Sequence, residues 1–191
     1  MSDLKPITGI ILAGGKSSRM GRDKGTALLN GIPMIEHVLR TLRQVTDSII
    51  IIGPKHIYDY TSCDVFEDIY PEKGPLGGIY TALTHTRTER NLILSCDIPF
   101  VGVKTLQLMR DHSSDYSIVV PEYLGQLEPL CAIYNKSLLP AVENALKNDE
   151  LGMRRFISCM PHETVTIDTG ELNPFRNINT AEELNQLNAN Q

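Results

Sequence analysis

The segment from Ile10 to Gly25, IILAGGKSSRMGRDKG, holds the residues best suited to chemistry. An apolar run breaks at Gly14-Gly15, and Lys16, Arg19, Arg22 and Lys24 follow in quick succession. Glycines accept positive φ and let the backbone approach a ligand closely, so successive N–H groups can point at one anion. The four cations add charge to that cradle, and together they describe a grip for phosphate groups. It is not a Walker A loop, because the span from Gly15 to Gly21 is one residue too long and Arg22 stands where a lysine is required. Nor is it the dinucleotide fingerprint GxGxxG, since Gly14 and Gly15 are adjacent and no glycine lies two beyond either.

The string LAGGKSSRMGRDKG resembles the signature of nucleotidyltransferases that activate sugars, isoprenoid precursors and pterins, roughly LAGGxSxRMGxDK. Within that superfamily the chain is similar to the molybdenum cofactor guanylyltransferases. Glu67-Asp68, Gly74-Pro75-Leu76-Gly77-Gly78, Ser95-Cys96-Asp97-Ile98-Pro99, Glu128-Pro129-Leu130 and Asn177-Ile178-Asn179-Thr180 follow in the family's order, so the resemblance spans nearly the whole chain. It implies transfer of GMP from GTP to molybdopterin bearing molybdenum, with Mg²⁺ as cofactor and pyrophosphate released. A transient partner that hands over the labile cofactor also fits this role. The alternatives are a cytidylyl or sugar-phosphate transferase of the same fold, and a GTP-binding regulator without turnover. By the resemblance, the LAGG form with Gly15 accompanies guanylyl transfer and LAAG its cytidylyl relatives.

Nucleotidyl transfer needs a cradle for the triphosphate, a metal at the α-phosphate and a site that aims the attacking oxygen. A phosphate monoester has a second pKa of about 6, so it attacks without a general base. Catalysis then rests on positioning and electrostatics. Asp97, at a strand end, is the expected metal ligand and a nucleotide contact, since Mg²⁺ commonly takes one or two protein carboxylates beside phosphates and water; the resemblance assigns the same role. Otherwise Asp97 caps the turn before Pro99. Arg19 and Lys24 are expected on the phosphates, Arg as a planar fork and Lys as a mobile point charge, with a solvated basic loop as the alternative. Leu12, Ala13, Gly14 and Gly15 are expected to offer backbone contacts to the nucleotide. By resemblance, Pro75, Leu76 and Gly77 complete the base pocket through backbone groups, unless they only make a tight helix entry.

The family associates Asp68 with the nucleotide; with Asp64 and Glu67 it is otherwise a solvated acidic edge. Asn177 and Asn179 match a late Asn-x-Asn element and are expected at the molybdopterin, whose edge has donors and acceptors that amides suit; local turn bonding is the alternative. Two departures stand out. Glu128 replaces the neutral glutamine or histidine expected there, and a carboxylate repels an anionic substrate unless a cation or protonation compensates. The stretch around Gly53-Pro54 lacks an asparagine that some relatives use.

These residues need a rigid frame. With 191 residues and 41% hydrophobic content, the chain can bury roughly 70% of its unfolded surface, which predicts one domain over residues 1–191. A net charge of −5 argues against nonspecific nucleic-acid binding. Cys63, Cys96, Cys131 and Cys159 form no CxxC pair and are expected to be reduced thiols, and the five histidines show no metal-ligand spacing. The apolar run from Ile7 to Ala13 is too short to span a membrane and precedes no cleavage pattern, so a soluble cytoplasmic protein is expected.

Buried strands are predicted at 7–12, 48–52 and 91–95, and further strands at 116–120, 130–134 and 165–168. Asn30-Gly31 marks a turn, and Gly125 a second one that would let 116–120 and 130–134 pair as a hairpin. Ile35, Val38, Leu39, Leu42 and Val45 predict an amphipathic helix, Pro75 opens another, and more follow at 103–112, 137–148 and 151–159. Thr180 and Glu183 form a capping box for the last helix. The alternation predicts an α/β fold, a three-layer α/β/α sandwich with a Rossmann-like, mostly parallel sheet of the nucleotide-diphospho-sugar transferase type. Ligands in such sheets bind beyond the carboxyl ends of the strands.

Overall fold

A computed structural model describes residues 5–14, 23–112, 115–168 and 173–189. In chain order it contains β1 (Ile7–Leu12), β2 (Leu28–Leu29), β3 (Ile32–Pro33), α1 (Met34–Leu42), β4 (Ser48–Ile52), α2 (Lys55–Tyr58), β5 (Asp64–Phe66), α3 (Gly74–His85) and β6 (Arg90–Ser95). Then come α4 (Val103–Asp111), β7 (Ile118–Tyr123), β8 (Gln126–Leu127), β9 (Cys131–Asn135), α5 (Leu139–Lys147), α6 (Met153–Ser158), β10 (His162–Thr166) and α7 (Ala181–Ala189).

The main sheet runs β10-β7-β9-β6-β1-β4-β5, with β8 folded back on β7. β1 lies parallel between β4 and β6, β5 is parallel to β4, and β10 is parallel to β7. Only β9 reverses among the strands of that path, antiparallel to both β6 and β7. Strand residues alternate between two apolar layers. Ile7, Ile11, Ile51, Leu92 and Leu94 face one side, where Val38, Leu39 and Leu42 of α1 and Leu106 and Met109 of α4 cover them. Ile10, Leu12, Ile50, Ile52 and Ile93 face the other, under α3, α5 and α6. Each such aliphatic side chain contributes about 1.5–3 kcal/mol on full burial. Because both faces are covered, the central strands read as unbroken apolar runs.

The expected sandwich is therefore present, with differences in detail. β2 and β3 pair around Asn30 (φ 54°) and Gly31 (φ 75°), the left-handed turn the Asn-Gly pair foretells. Val45 is buried but lies beyond the end of α1. The expected strand at 116–120 runs on to Tyr123, through Pro121. That proline is tolerated because the ladder with β9 stops at Val119, so no partner there needs its N–H. The last strand falls at 162–166 rather than 165–168. β5 and α2 are too short, three and four residues, to show a period in the sequence. The capping box is reciprocal: the Glu183 N–H donates to Thr180 Oγ1 (3.1 Å), and Glu183 Oε2 accepts from the N–H groups of Thr180 (3.2 Å) and Asn179 (2.8 Å).

A third apolar cluster matters for function. Ala27, Leu29 and Met34 pack against Ile178, Leu184 and Leu187, tying the segment after the glycine loop to the last helix. Asn188 clips the same join, accepting from the Asn30 N–H and donating to the Leu28 carbonyl. No helix among the described residues is long and apolar enough to cross a membrane.

Candidate active site

The chain leaving β1 heads for β4, whereas the chain leaving β6 crosses to the other half of the sheet, so a crevice opens at their carboxyl ends. Asp97 stands there, two residues past β6 and only 9% exposed. Ser95 Oγ donates to Asp97 Oδ1 (2.6 Å), and Lys24 Nζ donates to Oδ2 (3.1 Å). Lys24 Nζ also donates to Asn179 Oδ1 (2.7 Å). The backbone fixes this group too, since the Ile178 N–H donates to the Asp97 carbonyl (3.0 Å) and the Cys96 N–H to the Leu12 carbonyl (3.1 Å). The Asp97 carboxylate thus binds side chains of the site rather than capping the turn before Pro99. An ammonium has three N–H groups; among the described residues, Asp97 and Asn179 engage two of them.

The position of Lys24 is set by its neighbours. Asp23 Oδ1 accepts from the Gly25 N–H (2.9 Å) and from the hydroxyl of Tyr58, which α2 buries completely. A Cβ on Gly25 would overlap that hydroxyl, so only glycine lets the ring approach. Burial raises the Tyr58 phenol well above its ordinary range, with the nearby acidic groups adding to it, and it remains a donor. Tyr58→Phe should cost about 1 kcal/mol of stability and lower turnover by about 10-fold by loosening the backbone on either side of Lys24. Denaturant titration beside steady-state kinetics checks both.

Two clefts that share Leu130 flank the stretch around Asp97. The first, about 260 Å³, is lined by Leu12, Gly14, Asp68, Pro75, Gly78 and Ser95 among others. α3 opens toward it with Gly74 and Pro75, and no side chain caps the helix. Pro75 has no N–H, so the amides of Gly74 and Leu76 are the donors of that first turn without an intrahelical partner. The Leu76 side chain is in the core, and a Cβ on Gly77 would run into the Tyr70 carbonyl; the α3 residues that line the cleft are Gly74, Pro75 and Gly78, not these two. Asp68 is not a solvated edge residue like Asp64 and Glu67. Its Oδ1 accepts from the Tyr70 N–H and Thr81 Oγ1, both at 2.9 Å, and Oδ2 lies beside Gly78.

The second cleft, about 450 Å³, is lined by Ile98, Glu128, Arg154, Phe175 and Asn177 among others, and Leu130 forms a wall of both. Burial raises the Glu128 carboxyl above its ordinary value, and Arg154 pulls the other way. A carboxyl protonated more readily when folded makes stability fall as pH rises from the ordinary 4.5 through the raised value. Glu128→Gln should therefore melt higher than the parent at pH 7, and the gain should vanish below pH 4.5; melting temperatures across that range check it.

Of the residues singled out in the sequence, Lys24, Asp97 and Asn179 form one hydrogen-bonded group, and Gly14, Leu12, Asp68 and Pro75 line the first cleft beside it. Asn177 lines the second cleft, so the two asparagines part company. Ala13 is buried, with its N–H given to the Ile52 carbonyl (2.8 Å). Gly15 and Arg19 lie outside the described residues. Ser95, Tyr58, Thr81 and Arg154 were not anticipated. Ser95 had a signal in its spacing from Asp97; Tyr58 and Arg154 had none. All four cysteines are free, and burial pushes the thiols of Cys96 and Cys131 up. Among the described residues no three His, Cys, Asp or Glu side chains gather as a metal cage.

The family model for the MobA-like NTP transferase domain matches residues 9–165. A probable molybdenum cofactor guanylyltransferase of Flavobacterium johnsoniae is 42% identical over 188 residues, covering 98% of this chain and 99% of the relative. One from Clostridium perfringens is 34% identical, covering 93% of each chain. The crystal structure of molybdopterin-guanine dinucleotide biosynthesis protein A from Archaeoglobus fulgidus superposes with a TM-score of 0.79 at 22% identity, over 95% of this chain and 97% of the other.

Proposed function

The chain belongs to the MobA-like NTP transferase family and is a nucleotidyltransferase, and from that premise we propose that it transfers GMP from GTP to molybdenum-bearing molybdopterin, releasing pyrophosphate. The observation that carries this reading is the Lys24–Asp97 pair with a cleft to either side of Asp97 in the chain, Ser95 lining the first and Ile98 the second, and the two clefts sharing Leu130 as a wall. The full-length similarity to relatives named for this reaction supports these substrates.

In this reading the first cleft takes the nucleoside. The uncapped α3 amides and Asp68 face its base and ribose, and Gly14 begins the backbone cradle for its phosphates. Lys24 turns its third N–H to the triphosphate, held at the right height by Asp97 and Asn179. Arg19 is proposed as a second phosphate contact. The second cleft holds the acceptor, with its terminal phosphate, already ionised near pH 7, directed at the α-phosphate. No side chain has to remove a proton. One buried carboxylate braced by Ser95, with no cage of further acids among the described residues, suits Mg²⁺, which keeps phosphates and waters as its other ligands. Mg²⁺ bound at Asp97 would neutralise charge developing at the α-phosphate.

Pyrophosphate release with Mg²⁺ and molybdenum-loaded molybdopterin, compared for GTP, CTP and ATP, tests the proposal. Release with GTP well above the other two is expected. Release mainly with CTP, or GTP binding without release from any nucleotide, overturns it.

A further inference from the structure

Resting on the acceptor reading above, we propose that Glu128 is a specificity-determining residue of the second cleft, where its carboxylate accepts from the paired N–H groups on one edge of a pterin ring. The cleft offers apolar walls from Ile98, Leu127 and Phe175 to a flat bicyclic ring, and Glu128 is the one carboxylate among its described lining residues. The main chain carrying Glu128 is pinned, since its N–H donates to the Pro121 carbonyl (2.9 Å) and its carbonyl accepts from the Cys131 N–H (3.0 Å). The side chain therefore projects from a rigid turn.

A half-buried carboxylate facing a cleft is costly without hydrogen-bond donors, and it repels an anionic ligand that brings none. A pterin brings two, its exocyclic amino group and the adjacent ring N–H, spaced to meet the two carboxylate oxygens side by side as a guanidinium does. Burial already favours the neutral form of Glu128, so paired N–H donors supply the compensation that keeps it ionised. Arg154, which also lines the cleft and donates to Gln126 Oε1 (3.3 Å), offsets the carboxylate and brings a cation for the anionic end of the ligand. Asn177, in the same lining, has the amide to meet the ring's acceptors.

Free pterin and lumazine, in which a carbonyl replaces the exocyclic amino group, serve as probes, read by their ring fluorescence. The parent protein should bind pterin about 10–100-fold more tightly than lumazine, as expected when a site built for a donor meets an acceptor. Glu128→Gln, whose amide can present its N–H₂ to the carbonyl, should bring the two to within about 3-fold. Glu128→Leu should weaken pterin by about 10-fold or more. Guanine has the same paired-donor edge, so GTP affinity is measured alongside; it should be unchanged in both variants, which also shows that they fold. The inference is overturned if the parent does not prefer pterin, if the preference survives in the variants, or if their loss falls on GTP. Pyrophosphate release by the parent with molybdenum-loaded molybdopterin judges the acceptor reading separately. Turnover there with an unchanged acceptor KM in Glu128→Leu would sink the role of Glu128 and leave that reading standing.

Discussion

Asp97→Asn is expected to lower turnover by about 10²–10³-fold or more while leaving the fold intact, because it removes one charge and almost no volume. The amide oxygen can still accept from Lys24 while its N–H₂ donates to the Ser95 hydroxyl, which accepts as readily as it donates, and the backbone bond from Ile178 to the residue 97 carbonyl does not involve the side chain. What is lost is the negative charge that would hold a divalent cation against the nucleotide. The loss should therefore appear in kcat at saturating GTP and in the response to Mg²⁺, with melting temperature nearly unchanged. Near-normal Mg²⁺-dependent pyrophosphate release by this variant would remove Asp97 from the metal site.

Lys24→Met is expected to weaken GTP binding by about 10–100-fold and to destabilise the protein by about 1–3 kcal/mol. Two separate losses are involved. The triphosphate loses a cation, and the buried Asp97 carboxylate loses its ion-pair partner at 3.1 Å. The second loss separates this site from a solvated basic loop, whose lysine could be replaced with little effect on stability. Isothermal titration with GTP and chemical denaturation measure the two terms. In the double variant with Asp97→Asn the stability costs should not add, since the neutral amide no longer needs the cation; a coupling of about 1 kcal/mol or more is expected. Lys24→Arg should not restore the parent. The guanidinium is a wide planar fork, whereas the ammonium sits as a point between Asp97 and Asn179. Unchanged GTP affinity in Lys24→Met would take this residue out of the phosphate cradle.

Sequence and structure differ in what each could supply. The buried strands Ile7–Leu12, Ser48–Ile52 and Arg90–Ser95 were legible because a sheet covered on both faces demands continuous apolar runs, and a six-residue run carries that signal by itself. The Asn30-Gly31 turn and the Thr180–Glu183 box were legible because their chemistry is complete within four residues. The extension of β7 through Pro121 was not legible. Whether a missing N–H matters depends on where the neighbouring strand stops, and only the ladder decides that.

The site divides in the same way. Local spacing and family resemblance together marked the glycine loop, Lys24, Asp97 and Asn179. The sequence could not say that Lys24 reaches Asn179 across 155 positions, that Tyr58 holds the Asp23 side chain beside it, or that Asn177 lines the second cleft while Asn179 joins Lys24. Glu128 changed most. In the sequence it was an unwelcome charge near an anionic substrate, and in the structure it is a half-buried carboxylate whose charge Arg154, lining the same cleft, offsets. Backbone preference and burial pattern act between near neighbours, so the sequence by itself determined the longer elements, the mostly parallel sandwich and the edge where a ligand is expected. Hydrogen bonds, desolvation and cleft shape depend on groups brought together only by packing, so the tertiary structure alone decided which residues meet at Asp97 and which face the second cleft.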